Sequence, residues 1–311
     1  MKLVDGVLHS YSGLIPEYNK NIAQFRPLAT SLGEEFSLLD YRYFVIQMLY
    51  LVEYADYNSQ NKLGNGLVNG QSAKALIAET GVNRIIVSST NLYVGRIVGI
   101  GTDWASNSVA KDRKITKVEN YSDGNVSGKV IYFDGDPVNI AVNNTIWGSG
   151  QESGQCDELG MKSGCLINDS IHSMIYRGIE NIFGNMWQFV DGMNIKDRIM
   201  YLCKDHTKYK SDLFESPYKK LGYTNGDTNG YVKTLGFDPD EPLARFPIEV
   251  GAGASSGMSD YYWQNPGNRI ALVGGPFSFG AYCGFWCWYL NVDSSVANVY
   301  GGCRVLIDNQ K

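Results

Sequence analysis

Histidine is scarce and charge is thin: the chain has three histidines, 19% charged residues and a net charge of −5. General-base chemistry of the imidazole type therefore has few carriers, and His9, His172 and His206 lie far apart in sequence. Basic residues are scattered, with Lys219-Lys220 the densest spot, so nothing here tracks a phosphate backbone and no nucleic-acid partner is expected. Long apolar runs are missing too. The longest, residues 43–52, is interrupted by Gln47 and is too short to cross a bilayer, so no membrane insertion is expected. Residues 1–14 mix charge, glycine and polar side chains, which does not read as a signal peptide. The six cysteines neither repeat at zinc spacings nor crowd densely enough for a disulfide scaffold. They are expected as reduced thiols, with a Cys156–Cys165 loop staple as the alternative. No G-x-S-x-G, P-loop or H-E-x-x-H pattern occurs, and the glycine-rich stretch 95–101 opens no helix that could hold a phosphate. The expectation is a protein that is not an enzyme and carries neither cofactor nor metal. Asp134 and Asp136 are the one carboxylate pair weighed as a cation site, against the simpler reading of a β-turn.

What is abundant is glycine (35 residues) and tyrosine (21 residues), on a 44% hydrophobic background. That balance suits a folded chain rich in turns, strands and amphipathic contact surfaces. Apolar residues at Leu38, Tyr41, Val45, Met48, Leu49, Val52 and Ala55 recur at helical spacing and predict a first helix over 37–57. Asp169 and Ser170 precede a second apolar stripe, Ile171, Met174, Ile175, Ile179 and Ile182, which predicts another helix up to Gly184. Between them, runs rich in Val, Ile and Tyr at 84–88, 93–100, 114–119, 129–133 and 138–142 predict a small β-barrel or sandwich. Residues 1–35 read as an extended lead-in and 203–260 as loop-rich, with short strands such as 231–235. Strands are expected at 269–274, 285–290 and 303–307.

Two segments carry a resemblance. YRGIENIFGNMWQFVD at 176–191 resembles a "G-N-V-W-E-W" signature, and ALVGG at 271–275 followed by GFWCW at 284–288 and GCR at 302–304 is similar to an "R-G-G-S-W … G-F-R" ending. Together they resemble the C-type-lectin-fold, formylglycine-generating-enzyme-like superfamily. The likeness is nearest to the versions in phage tail receptor-binding proteins and in variable proteins of diversity-generating retroelements. It spans residues 37–61 and 149–309. The resemblance implies an α+β C-type-lectin-type fold with two helices, a twisted antiparallel sheet and a small all-β insert. The corresponding domains are a lead-in and first helix at 1–81, the insert at 82–147, and the remainder at 148–311 with a ligand-facing segment at 274–304.

It also implies a function. Members diversified by adenine mutagenesis vary chosen positions of the last segment, and such codons cannot yield Lys, Glu, Gln, Met or Trp. Between Pro276 and Cys303 the chain has no Lys, Glu, Gln or Met, and Trp286 and Trp288 fall where fixed scaffold aromatics are expected. The expected ligand contacts are Phe277, Ser278, Phe279, Tyr282, Cys283, Cys287, Val292, Asp293, Val296, Val299, Tyr300 and Cys303, with Tyr289 and Tyr261-Tyr262 at the rim. Trp187, Trp286, Trp288 and Arg304 are assigned to the scaffold. The implied role is non-enzymatic recognition of a host-surface protein or glycan, on a virion tail or cell surface, by a homo-oligomer beside other virion subunits. A purely structural tail or baseplate role is the first alternative. A formylglycine-generating oxidase is the second, and the cysteine register speaks against it: counted from Gly275, the family's two thiol positions fall on Phe279 and Gly284.

Overall fold

The computed structural model describes residues 1–224, 229–253, 255 and 258–308. Its chain divides into two compact units, one of residues 1–68 and 153–311, the other of residues 69–152.

The larger unit is built on one nine-stranded sheet, whose strands are numbered here in chain order. They are β1 (Trp187–Lys196), β2 (Ile199–Leu202), β3 (Lys219–Thr224), β4 (Gly230–Asp238), β5 (Glu241–Ala252), β6 (Tyr261–Gln264), β7 (Asn268–Gly274), β8 (Gly284–Leu290) and β9 (Gly301–Gly302). The order across the sheet is β3-β2-β1-β7-β8-β6-β4-β5, and β9 pairs with β1 in parallel. The sheet curls into half a barrel. Period-two alternation divides its central strands between two apolar clusters. Trp286, Trp288 and Leu290 of β8, with Ala271 and Val273 of β7, enter the first cluster. Cys287 of β8, with Ile270 and Leu272 of β7, enters the second.

A helix covers each cluster. Helix α1 (Ile22–Thr30) starts at Asn21, whose side chain accepts from the Gln24 N–H while Gln24 returns a bond to the Asn21 N–H. This reciprocal cap satisfies two orphan donors and sets Ile22, Phe25 and Ala29 on one buried face over the second cluster. Helix α2 (Tyr43–Tyr54) turns Tyr43, Phe44, Gln47 and Tyr50 onto the first cluster and stops at Ala55, which takes a left-handed conformation (φ 50°). Its rings meet β8 directly: Tyr43 lies edge-on to Trp288 at 5.8 Å, and Tyr50 stacks on Phe285 at 4.8 Å. Each such pair adds about 0.5–1.5 kcal/mol beyond simple burial.

The α+β expectation is overturned. The protein is mostly β, with 41% strand and 12% helix, and it is not a two-helix lectin fold. The stripe expected as a second helix forms instead the short strands Met174–Tyr176 and Ile179–Glu180, paired antiparallel. Between them Arg177 and Gly178 both take positive φ (49° and 76°), the geometry of a tight two-residue hairpin turn. Met174, Ile175 and Tyr176 are all buried, so an apolar run buried on both sides produced the apparent helical stripe. The first helix is shorter than expected, because Phe36–Leu38 is a strand paired with Val305–Ile307. Residues 1–35 hold α1 as well as the paired strands Lys2–Val4 and Val7–His9. Nor is 203–260 loop-rich, since β4 and β5 make a long hairpin there. Pro242 and Pro247 are tolerated in β5 because it is the sheet's edge, where a missing N–H breaks no shared ladder. Residue 309, the last of the span carrying the resemblance, lies outside the described residues.

The second unit holds a six-stranded sheet, Ser72–Lys74, Thr145–Gly148, Ile97–Gly101, Ala110–Ser122, Ser127–Phe133 and Arg84–Val87 in spatial order. Ile85, Val98, Ile100, Ile115, Ile131, Phe133 and Ile146 fill its core. The turn weighed as a cation site already holds a cation of the chain itself. Arg113 donates to the carbonyls of Asp134 and Asp136, both at 3.2 Å, and Asp134 Oδ1 accepts the Lys114 N–H at 2.7 Å. Among the described residues no group of three or more His, Cys, Asp or Glu side chains is placed to hold a metal ion. No helix among them is long and apolar enough to cross a membrane.

Candidate functional site: an aromatic cleft on the outer face of the sheet

Four adjacent strands set a row of large side chains on the face that carries α1. Trp263 of β6 pairs with Tyr289 of β8, and Tyr289 pairs with Leu272 of β7. Leu272 in turn lies opposite Phe189 of β1. Helix α1 packs onto the Phe189 end, where Phe25 and Phe189 are 5.9 Å apart. The other end is left open. Beyond β8 the chain returns over this face. The Ile270 N–H donates to Val292 O at 3.1 Å, the Trp187 N–H donates to Tyr300 O at 2.8 Å, and Asp293 closes a turn by accepting the Ser295 N–H at 2.9 Å. The Ser295 hydroxyl and N–H both hold the Asp293 carboxyl below its usual range, so this turn keeps its negative charge.

A cleft of about 280 Å³ remains between the returning segment and the sheet, lined by Trp187, Leu272, Phe279, Tyr289, Val292, Val296, Asn298 and Tyr300. Trp187 forms its floor and is 4% exposed. Tyr289 stacks on Trp187 at 5.2 Å, and Phe279 stands edge-on to it at 5.6 Å. The rings continue outward from the cleft. Trp263 lies 5.7 Å from Tyr289, Tyr261 4.4 Å from Trp263, Tyr282 4.8 Å from Tyr261 and Tyr231 5.1 Å from Tyr261. Burial, then the neighbouring Tyr282 phenol, pushes the Tyr231 hydroxyl up, so Tyr231 is uncharged at neutral pH.

No family model matches the chain, and no curated protein matches it. The assignment of a site therefore rests on geometry alone.

Of the residues expected as contacts, Phe279, Tyr289, Val292, Val296 and Tyr300 line this one cleft. Ser278 and Val299 are half-buried, Asp293 is exposed, and Tyr282, 39% exposed, extends the aromatic strip. Four others need correction as contacts, because Phe277, Cys283 and Cys287 are 0% exposed and Cys303 6%. Phe277 stacks beneath Tyr300 at 5.4 Å, which explains an aromatic residue in a glycine-rich turn without any ligand. Burial raises all three thiols, Cys303 to about 11 and the other two well above their ordinary value. Cys283 packs in the cluster beneath α2 and Cys287 in the cluster beneath α1, so they do not form a pair of thiolate ligands. Of the rim candidates, Tyr261 is half-buried within the strip, whereas Tyr262 is 0% exposed in the first cluster.

Sequence reasoning missed Trp263, Leu272, Asn298 and Tyr231, and placed Trp187 in the scaffold without its role as the floor. Alternation along Tyr261-Tyr262-Trp263 was the available signal: a buried Tyr262 turns both of its neighbours to the opposite face. Trp286 and Trp288 are core residues at 1% and 0% exposure. Arg304 ties the chain's end to the hairpin after residue 176. Its Nε donates to Gln188 Oε1 at 2.8 Å, and its Nη2 donates to the carbonyls of Glu180 at 2.8 Å and Asn181 at 3.3 Å.

Proposed function

We propose that this protein is a non-enzymatic binding protein whose cleft between β8 and the returning segment 292–300 receives an uncharged or apolar group of a partner. The observation that carries the proposal is a run of Trp and Tyr rings, set on strands β1, β8 and β6 of one sheet, that opens into a cleft. Rigid aromatic side chains lose little conformational freedom on binding, which is why they dominate the energetics of recognition surfaces. Phe279, Tyr282, Val292, Val296 and Val299 are all at least partly exposed, which leaves part of each side chain open to a partner.

The setting follows from the motif resemblance and is part of the proposal: a phage tail or receptor-binding component, or a retroelement-diversified variable protein, that binds a host-surface protein or glycan. Oxidase chemistry fits poorly, since the two thiols nearest the family's positions are buried in separate clusters and disfavoured as thiolates.

Flow cytometry of the labelled protein on a panel of bacterial cells tests the proposal. Binding to at least one strain is expected, and Trp263→Ala or Tyr289→Ala should weaken it by about 2 kcal/mol or more, roughly 30-fold. Equal binding by wild type and both variants would refute the cleft. Assembly into particles without affinity for any cell would favour the structural tail role. A template repeat and a reverse transcriptase gene beside the coding sequence would support diversification, and identical C-terminal segments in close relatives would remove it.

A further inference from the structure

A second concavity in the larger unit has the opposite chemistry. It is a pocket of about 300 Å³, walled by polar side chains that include Tyr11, Asp157, Glu180, Asn181, Gln188 and Arg304. None of these lines the aromatic cleft. We propose that this pocket is a separate site for one ring-sized, neutral, polyhydroxylated unit, that is, a saccharide residue.

Charge excludes the simpler ligands. Arg304 gives its Nε and Nη2 protons to neutral acceptors only, and its Nη1 has no protein acceptor among the described residues. It is not the only cation there, since the Met1 ammonium, bonded to Cys303 O, lines the same pocket beside the carboxyls of Asp157 and Glu180. A charged ligand of either sign would therefore meet two repulsions for its two attractions. The site favours a ligand without net charge.

Hydrogen-bonding capacity then selects the chemistry. Arg304 Nη1 has no protein acceptor among the described residues, so the wall offers an unused donor. The carboxylates keep acceptor capacity as well. Asp157 Oδ2 accepts from Ser12 Oγ at 2.5 Å, while Glu180 accepts the N–H groups of Gly154 at 2.6 Å and Gln155 at 3.0 Å. An ionised carboxylate has about four lone-pair directions, so each retains room for another donor. The hydroxyl is the one common neutral group that donates and accepts at the same atom, and a ring bearing several of them answers a wall of amides, carboxylates and a guanidinium. Tyr11 supplies the remaining element. It lies at this pocket, is 57% exposed and is stacked on His9 at 4.6 Å, presenting a held ring face for the apolar C–H side of a sugar. The volume lies at the small end of small-molecule sites, which fits one ring rather than a chain.

Saturation-transfer NMR and calorimetric titration of the full chain test this. The probes are methyl glucoside, methyl galactoside, methyl mannoside and N-acetylglucosamine, with acetate and inorganic phosphate as anion controls. At least one saccharide should bind saturably. Tyr11→Ala and Asp157→Ala should each weaken it tenfold or more, with melting temperatures close to wild type, and Trp263→Ala should leave it unchanged. The proposal is overturned if no saccharide saturates, if acetate or phosphate binds more tightly than every saccharide, or if Trp263→Ala alone abolishes binding. The last result would move the sugar to the aromatic cleft and leave the reading of that cleft intact.

Discussion

Asp260 offers a direct physical test of how the aromatic strip is held. Its carboxyl is 0% exposed at the start of β6, Oδ2 accepts the Trp286 N–H at 2.7 Å, and Oδ1 is buried without a hydrogen-bond partner. Burial raises its pKa well above the ordinary 3.8, against the smaller opposing pull of the Trp286 N–H. A carboxyl raised in the folded state contributes no penalty below about pH 3.9, where folded and unfolded chains both hold the proton. As pH rises past that value the unfolded chain releases its proton while the folded chain keeps it. Folding stability then falls by about 1.4 kcal/mol per pH unit until the raised folded pKa is reached. Asp260→Asn retains a carbonyl oxygen for the Trp286 N–H and has nothing to ionise. Urea unfolding of wild type and Asp260→Asn, followed by tryptophan fluorescence from pH 4 to 8, isolates this group, because other titrations cancel in the difference. The advantage of the variant should grow with pH at close to that slope. A difference that is flat with pH, or that shrinks as pH rises, would refute the reasoning.

Other perturbations follow the same logic. Arg26 clasps Asp191 through two hydrogen bonds of 2.7 and 2.8 Å, and Asp191 is 2% exposed, so Arg26→Met strands a buried carboxylate. The loss should be roughly 3–5 kcal/mol in chemical denaturation, and Asp191→Asn in the same chain should recover part of it. No recovery in the double variant would show that packing of the Arg26 stem, not charge, matters there. At Gly284 an added Cβ would collide with both Asp260 carboxyl oxygens, so Gly284→Ala should cost about 1–3 kcal/mol, read as a lowered urea midpoint. Trp288→Ala opens the core between α2 and β8, where Tyr43, Phe44 and Phe246 all contact the indole, and should cost about 3–5 kcal/mol by the same measurement. By contrast Val52, 82% exposed on α2, should accept Lys within about 0.5 kcal/mol.

Local patterns in the chain were sufficient for several elements. Strands at Arg84–Val87, Asn268–Gly274 and Gly284–Leu290 follow from β-branched and aromatic runs closed by glycine, asparagine or aspartate. Helix α2 follows from its apolar spacing, and Trp286 and Trp288 declare themselves as core by their bulk. The motif resemblance, together with the residue types between Pro276 and Cys303, is what points to the C-terminal segment as a contact region. Which of its residues face outward is not legible in this way, because alternation becomes informative only once strand limits and pairing register are known. Phe277, Cys283, Cys287 and Cys303 are chemically indistinguishable, in a string of letters, from neighbours that reach solvent.

Tertiary structure decided the rest. The apolar stripe at 171–182 satisfies helical periodicity, yet the left-handed Arg177-Gly178 turn and burial on both sides make it a hairpin. The β4–β5 hairpin is hidden behind prolines that only an edge position allows. The cleft exists because pairing brings Trp187, Trp263, Leu272 and Tyr289 from four strands into one row, and because α1 covers only part of that face. Sequence fixes what each segment prefers. Long-range pairing fixes which surfaces are left uncovered, since burial depends on neighbours distant along the chain.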